Sequence, residues 1–414
     1  MKIKISLSII IILTAFLNNY IDAQVHEIVS TGIEVLRDDN FDILKNKRVG
    51  LITNPTGVDS QLKSTIDILF EAKEVNLVAL FGPEHGARGN SYAGDDINNF
   101  KDEKTGIPVF SLYGKTRKPT KEMLENIDVL VFDIQDIGCR SYTYISTMGY
   151  AMEAAAEYGI EFVVLDRPNP LGGLKIEGPI ASDGYISFVS AYPIPYVYGL
   201  TIGELATYLN EEKILKSKCK LTVVPMKGWK RNMKYSDTGL KWVLTSPHIP
   251  SSNIAEYYVC TGIIGELQEF NTGIGYTLPF QLFGHENINA DLLVEKLNNL
   301  KLSGITFRPI HYKPFYGNDS GKNIDGVQLY ITDSDRINLM SIQFLLLQEF
   351  HNLYPDIDII QNAESRFNMF DKVCGTDQIK LLFFENYNYN DIKQLIESDN
   401  INYKKAIRKY FLYN

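Results

Sequence analysis

The chain predicts an α/β fold: a doubly wound, mostly parallel sheet followed by a second, smaller domain. Three observations carry this. Uninterrupted apolar runs such as Val129-Leu130-Val131-Phe132 suit strands covered on both faces. Helical patterns alternate with those runs, which implies crossover connections of one hand and a single parallel sheet. A shift of composition near Gly284, in a chain of 414 residues, marks a second folding unit.

Taken in order, Lys47 to Ile52 reads as the first strand and Thr53-Asn54-Pro55-Thr56-Gly57 as the turn that ends it. Asp59 or Ser60 is placed to cap a helix whose apolar positions are Leu62, Ile66, Leu69 and Phe70. Leu77 to Phe81 is the second strand, and the polar excursion from Gly82 to Thr105 is longer than a usual connection, a mark of a functional loop. Ile107 to Leu112 and Asp128 to Phe132 give two more strands, with a short helix at Thr120 to Asn126 between them. A helix from about Thr143 carries Tyr144, Met148, Ala151 and Ala155 on one face and stops at Gly159. Glu161 to Leu165 is the next strand, Thr201-Ile202-Gly203-Glu204 is a capping box, and Lys220 to Val224 is another strand. Leu244 to Pro250 is a proline-bracketed loop, and Thr261 to Phe283 is rich in glycine, with Glu266 and Glu269 as its acids. Beyond Gly284 lie a helix at Asp291 to Leu300, strands at Ile305 to His311 and Gly326 to Thr332, and a helix around Ile337 to Phe350.

Apolar content of 45% with 22% charged residues is that of a folded globular protein. A formal net charge of −9 disfavours nucleic acid and anionic membrane as partners. Residues 1–23 read as a signal peptide: Lys2 and Lys4 precede an apolar stretch from Leu7 to Leu17, and Ala23 offers a small residue at the cleavage point. The expectation is an exported protein, periplasmic or secreted, with no stable membrane insertion after cleavage. The four cysteines are scattered, with no CxxC pair and no zinc spacing, and read as buried thiols, one incidental disulfide being the alternative.

In a parallel sheet the carboxyl ends of the strands share one edge, and ligands bind there. That edge gathers Asn54, Glu84, the run Asp133 to Arg140, and Asp166 to Asn169. Phe81-Gly82-Pro83-Glu84-His85-Gly86-Ala87-Arg88-Gly89 sets an acid, an imidazole and a guanidinium on a stiff turn. No Gly-x-Gly-x-x-Gly and no Gly-x-Ser-x-Gly is present, so no dinucleotide cofactor and no serine elbow is expected. Histidines lack metal-binding spacing, and a metal-dependent hydrolase would need distant assembly of His85, His248 and an aspartate. Carboxylates remain in number, which is the inventory of glycoside cleavage.

Gly82-Pro83-Glu84-His85-Gly86, then Asp133-Ile134-Gln135-Asp136-Ile137-Gly138-Cys139-Arg140-Ser141-Tyr142-Thr143-Tyr144, then Leu165-Asp166-Arg167-Pro168-Asn169-Pro170 resemble the exo-β-N-acetylmuramidase family in order and spacing. The resemblance covers nearly the whole mature chain. It implies a Rossmann-like catalytic domain at 24–283, a smaller C-terminal α/β domain at 284–414, and a cleft between them. The implied activity is removal of terminal N-acetylmuramic acid from the non-reducing ends of peptidoglycan fragments, without a cofactor. It also implies Glu84 as catalytic glutamate, with the two aspartate motifs lining the cleft. Where many members carry an arginine in a Gly-Arg-Gly-Thr motif, this chain has Ile274.

The expected catalytic set is thus Glu84 as general acid, with Glu266, Asp133, Asp136 or the substrate's own acetamido oxygen as second group. The expected binding set is Asn54, His85, Arg88, Gln135, Arg140, Tyr142, Asp166, Arg167 and Asn169. Among the arginines, Arg140 is the first choice to grip the lactyl carboxylate, the alternative being that it pairs with Asp133 or Asp136 and shapes the loop. A non-catalytic sugar-binding protein with a similar two-domain cleft is the other alternative.

Overall fold

A computed structural model describes residues 28–89 and 100–414. The signal-peptide expectation for residues 1–23 falls outside the described residues. The elements in order are α1 (Gly32–Asp38), β1 (Arg48–Thr53), α2 (Thr65–Glu71), β2 (Asn76–Gly82), β3 (Phe100–Lys101), β4 (Pro108–Ser111), α3 (Lys121–Leu124), β5 (Val129–Asp133), α4 (Tyr144–Tyr158), β6 (Glu161–Leu165), α5 (Ile202–Glu211) and β7 (Lys220–Val224). They continue with α6 (Ile254–Gly265), β8 (Leu282–His285), α7 (Ala290–Asn299), β9 (Ile305–Tyr312), β10 (Ile324–Ile331), α8 (Leu339–Leu353), α9 (Ile359–Asn362), α10 (Phe367–Cys374), α11 (Gln378–Asn386), α12 (Tyr389–Ile396) and α13 (Ile401–Ile407).

Seven strands form one sheet in the order β3-β4-β2-β1-β5-β6-β7. All neighbours are parallel except β3, which runs antiparallel to β4. Alternation along the strands feeds two cores. Ile52, Phe81, Leu130, Phe132 and Val164 pack with α4 and α5 on one face, while Val49, Leu51, Val129, Val131 and Val163 pack with α1 and α2 on the other. This is the doubly wound arrangement expected from the sequence. The register pairs Ile52 with both Phe81 and Phe132, so the carboxyl ends of β1, β2 and β5 lie level at one edge. The last strand, β7, alternates exposed and half-buried positions, as an outer strand does.

The smaller domain holds an antiparallel sheet in the order β8-β10-β9, with α6, α7, α8 and the C-terminal helices sharing one core. Buried residues Val259, Ile263 and Ile264 of α6 belong to that core, so it begins before the composition shift at Gly284. Ile137, Cys139 and Tyr196 of the first domain join it, making the interface between the domains continuous hydrophobic packing. The final residues return to the first domain. Tyr413 donates to Asp166 at 2.5 Å and accepts from the Met226 N–H at 2.8 Å, and Phe411 lies under the guanidinium of Arg231 at 3.5 Å.

Two local expectations change. The helix after β1 starts at Thr65, capped by Ser64 accepting from the Ile66 N–H at 3.1 Å. Asp59 instead accepts from the N–H groups of Gln61 and Lys63 in a turn, and Leu62 sits outside the helix at φ 66°. The glycine-rich stretch from Thr261 begins inside α6, which ends at Gly265 and presents Glu266 at its C-cap. Among the described residues no helix is long and apolar enough to cross a membrane.

Candidate active site

The end of β2 turns sharply. A Cβ at Gly82 would approach the backbone nitrogen of Ala87 to 2.6 Å, and Gly86 N–H donates back to the Pro83 carbonyl at 2.9 Å. His85 is held at φ 71°, a region unusual for a residue with a side chain and one that surrounding structure must impose. This turn delivers Glu84 and His85 to a cavity of about 680 Å³ at the strand-end edge. Thr143, the residue that opens α4, donates its hydroxyl to Glu84 Oε2 at 3.3 Å. Burial, and then the neighbouring Glu84 carboxyl, push the Tyr113 hydroxyl up to about 12.

Both domains close the other sides. Tyr142 donates to Thr245 Oγ1 at 2.7 Å, Tyr144 donates to the Thr245 carbonyl at 2.5 Å, and the hydroxyls of Ser141 and Tyr258 meet at 3.1 Å. Tyr142 is edge-on to both Tyr144 and Tyr258, so the wall is an aromatic cluster locked by hydroxyl contacts. Glu266 enters from the end of α6, with Arg366 Nη2 3.2 Å from its carboxylate. Burial raises the Glu266 carboxyl above the usual range, opposed by Arg366. His248, from the proline-bracketed loop, meets the Tyr316 hydroxyl at 2.8 Å through Nε2. An adjoining groove of about 370 Å³ shares His248, Tyr258 and Glu266 and is lined further by Ile274 and Asp319.

Of the expected catalytic and binding residues, the structure brings Glu84, His85, Tyr142 and Glu266 to this cavity. The others lie beneath or beside it. Asp133 is fully buried, bound by Arg167 Nε and Thr65 Oγ1, both at 2.5 Å, and Arg167 also donates to the Val58 carbonyl. Asp136 is buried, accepting from the Tyr198 hydroxyl and from Gly138 N–H. Asp166 is fully buried against Thr201, Gly203 and Tyr413. Asn54 holds its own turn through Thr56, Gln135 donates to the carbonyls of Asp136 and Pro168, and Asn169 binds Leu200 and Leu171. These are bonds that fold the strand-end loops, and they leave the side chains turned inward.

The arginines differ most from expectation. Arg88 is spent on Asp102 and Asp67. Arg140 has no exposed surface and pairs with neither Asp133 nor Asp136. Its guanidinium donates instead to four carbonyls, those of Pro179, Ile194, Val373 and Cys374. No lysine or arginine lines the cavity among the described residues.

Sequence reasoning passed over Tyr113, Thr143, Tyr258, Tyr316 and Arg366. Only Thr143 lay within a recognisable motif. The rest come from four separate segments that meet only in the folded chain.

Two carboxyl groups, hydroxyls and aromatic rings around one cavity between two α/β domains are the equipment of a glycosidase. Residues 49–253 match the family described as "Exo-beta-N-acetylmuramidase NamZ, N-terminal", and residues 256–413 match its C-terminal counterpart. The chain belongs to the exo-β-N-acetylmuramidase NamZ family. It is 47% identical over 386 residues to the peptidoglycan β-N-acetylmuramidase NamZ of Bacillus subtilis (strain 168), covering 93% of this chain and 91% of the relative. The crystal structure of a DUF1343 family protein from Bacteroides fragilis NCTC 9343 is similar, with a TM-score of 0.89 and 54% identity over 93% of this chain and 99% of the other. A second DUF1343 family protein from that organism has a TM-score of 0.76 and 30% identity, over 94% of this chain and 99% of the other.

Proposed function

We propose that this chain is an exo-acting glycosidase that removes β-linked N-acetylmuramic acid from the non-reducing ends of peptidoglycan fragments, with Glu84 as the general acid. The observation that carries this is the pairing of Glu84 and Glu266 on one cavity, on a chain in the muramidase family along nearly its full length. Cleavage needs a proton on the departing sugar oxygen and stabilisation of positive charge at the anomeric carbon. Glu84, on its rigid turn and hydrogen-bonded by Thr143, supplies the proton, and Glu266 is the second carboxylate. The aromatic wall gives the sugar an apolar face. The basic and then apolar stretch at residues 1–23 supports export to where peptidoglycan lies.

One observation favours exchanging the two glutamates: burial raises Glu266, which suits a group that keeps its proton. Comparing Glu84→Gln and Glu266→Gln on the natural linkage and on an aryl glycoside with a good leaving group decides between them. Loss of the acid is masked by the good leaving group, and loss of the other carboxylate is not. With Glu84 as the acid, Glu84→Gln loses about a hundredfold or more on the natural linkage and far less on the aryl substrate. Wild-type turnover by both variants on the natural linkage overturns the assignment.

A further inference from the structure

A muramic substrate differs from its glucosamine counterpart by a lactyl ether that ends in a carboxylate. Bringing that charge against aromatic walls costs free energy unless something positive meets it. The three arginines of the strand-end motifs are committed elsewhere, and the described lining of the cavity contains no lysine or arginine. Residues 90–99, which follow the Glu84 turn in sequence, include none either. Two imidazoles do line it, His85 and His248.

Resting on the muramidase reading above, we propose that His85 and His248 together recognise the lactyl carboxylate and so select N-acetylmuramic acid over N-acetylglucosamine. His85 Nδ1 is buried and has no hydrogen-bond partner, on a residue whose backbone is forced to positive φ. A buried ring nitrogen left unpaired on a residue that lines a cavity is a group a ligand oxygen can satisfy. His248 is fixed by Pro247 on one side and by the Tyr316 hydroxyl at Nε2. Burial and then the charge of His85 hold His248 below its usual 6.5. A carboxylate between them removes that repulsion and draws a proton onto the pair.

The other charged or titratable groups facing this pair are Glu84 beside His85, and Tyr142, Tyr144, Tyr258, Tyr316 and Glu266 around the cavity, with Asp319 in the adjoining groove. Glu266 is bound to Arg366. The rival cation is Arg117, which lies over the Phe188 ring at 4.3 Å and has no acidic partner among the described residues. The carboxylate raises the imidazole pKa, so affinity is full below the free imidazole range and is lost as pH rises through the raised value.

Calorimetry with N-acetylmuramic acid and N-acetylglucosamine, each in two buffers of different ionisation enthalpy, reads proton uptake without turnover. The full chain is compared with its His85→Gln, His248→Gln and Arg117→Gln variants. Wild type is expected to take up a proton on binding the muramic sugar alone, with affinity falling about tenfold from about pH 5.5 to about pH 8. Either histidine variant should lose the uptake and most of the preference, and Arg117→Gln should keep both. No binding of the muramic sugar, no uptake, preference kept by both histidine variants, or preference lost only in Arg117→Gln each overturns the proposal. Histidine-dependent binding without hydrolysis of a muramic-terminated glycan would sink the enzyme reading and leave this one standing. Hydrolysis indifferent to both histidines would do the reverse.

Discussion

Arg140 donates through Nη2 to the carbonyl of Cys374 at 2.6 Å, joining the loop that opens the cavity wall to the end of α10 in the other domain. The same guanidinium caps the Val373 carbonyl, so a buried cation sits on the negative end of a helix with no carboxylate beside it. Burial pulls this guanidinium down to about 10, which leaves it charged at neutral pH.

Arg140→Ala should therefore behave as a folding mutant, destabilising by about 3 to 5 kcal/mol because four buried carbonyls lose their donor. Gly375→Ala should act on the same contact, since its Cβ would lie 2.6 Å from Arg140 Nη2 at a residue with φ 77°. Denaturant midpoints of the single and double variants test this. Strict additivity would mean that the two positions do not share one contact.

Thr143→Val removes the hydroxyl that reaches Glu84 at 3.3 Å while keeping the shape of the residue. Turnover of a muramic-terminated glycan should fall about three- to thirtyfold, the worth of one hydrogen bond to a carboxyl group, with the unfolding midpoint nearly unchanged. An unaltered kcat would take Thr143 out of the catalytic arrangement.

Burial pushes Asp136 up to about 7 from 3.8, against the opposing hydrogen bonds of Tyr198 and Gly138. Because the folded value is the higher one, its contribution to stability is complete below about 3.8 and is lost as pH rises toward about 7. Relative to Asp136→Asn, which cannot ionise, the wild type should lose up to roughly 1.4 kcal/mol for each pH unit in that window. Urea unfolding of both proteins across the window would show a constant difference if the carboxyl stays ionised throughout.

Tyr413→Phe deletes the donor to Asp166 and the acceptor for the Met226 N–H. A loss of about 1 to 3 kcal/mol is expected, with kcat unaffected, because the buried Met226 N–H loses its acceptor and the Asp166 carboxylate loses one of its donors, keeping those of Thr201 and Gly203. A fall in kcat at unchanged stability would place this contact on the path to the cavity instead.

The strands of the larger domain were legible because continuous apolar runs such as Val129 to Phe132 leave little choice of structure, and the strand-end edge followed from their parallel direction. Which side chains at that edge face the cavity was not legible. Asp133 and Glu84 both leave strand ends, yet one is folded under by Arg167 and Thr65 and the other is presented by a proline turn. That choice depends on partners distant in sequence. His248 and Tyr316 are a further case, since nothing in either segment records that the other will meet it. The C-terminal helices escaped notice because they are short and their apolar residues serve a core shared with α6 and α8 rather than a pattern of their own.

The return of Tyr413 to Asp166 also sets an order of events during synthesis. The strand-end edge of the larger domain is built from residues that leave the ribosome early, but Asp166 and Glu204 await partners near position 413. Until those residues emerge, Asp166 lacks the hydroxyl donor that Tyr413 brings. The larger domain thus completes this buried site only after the smaller one has been translated, so a nascent chain truncated before Phe411 should stay more open to protease than the full chain.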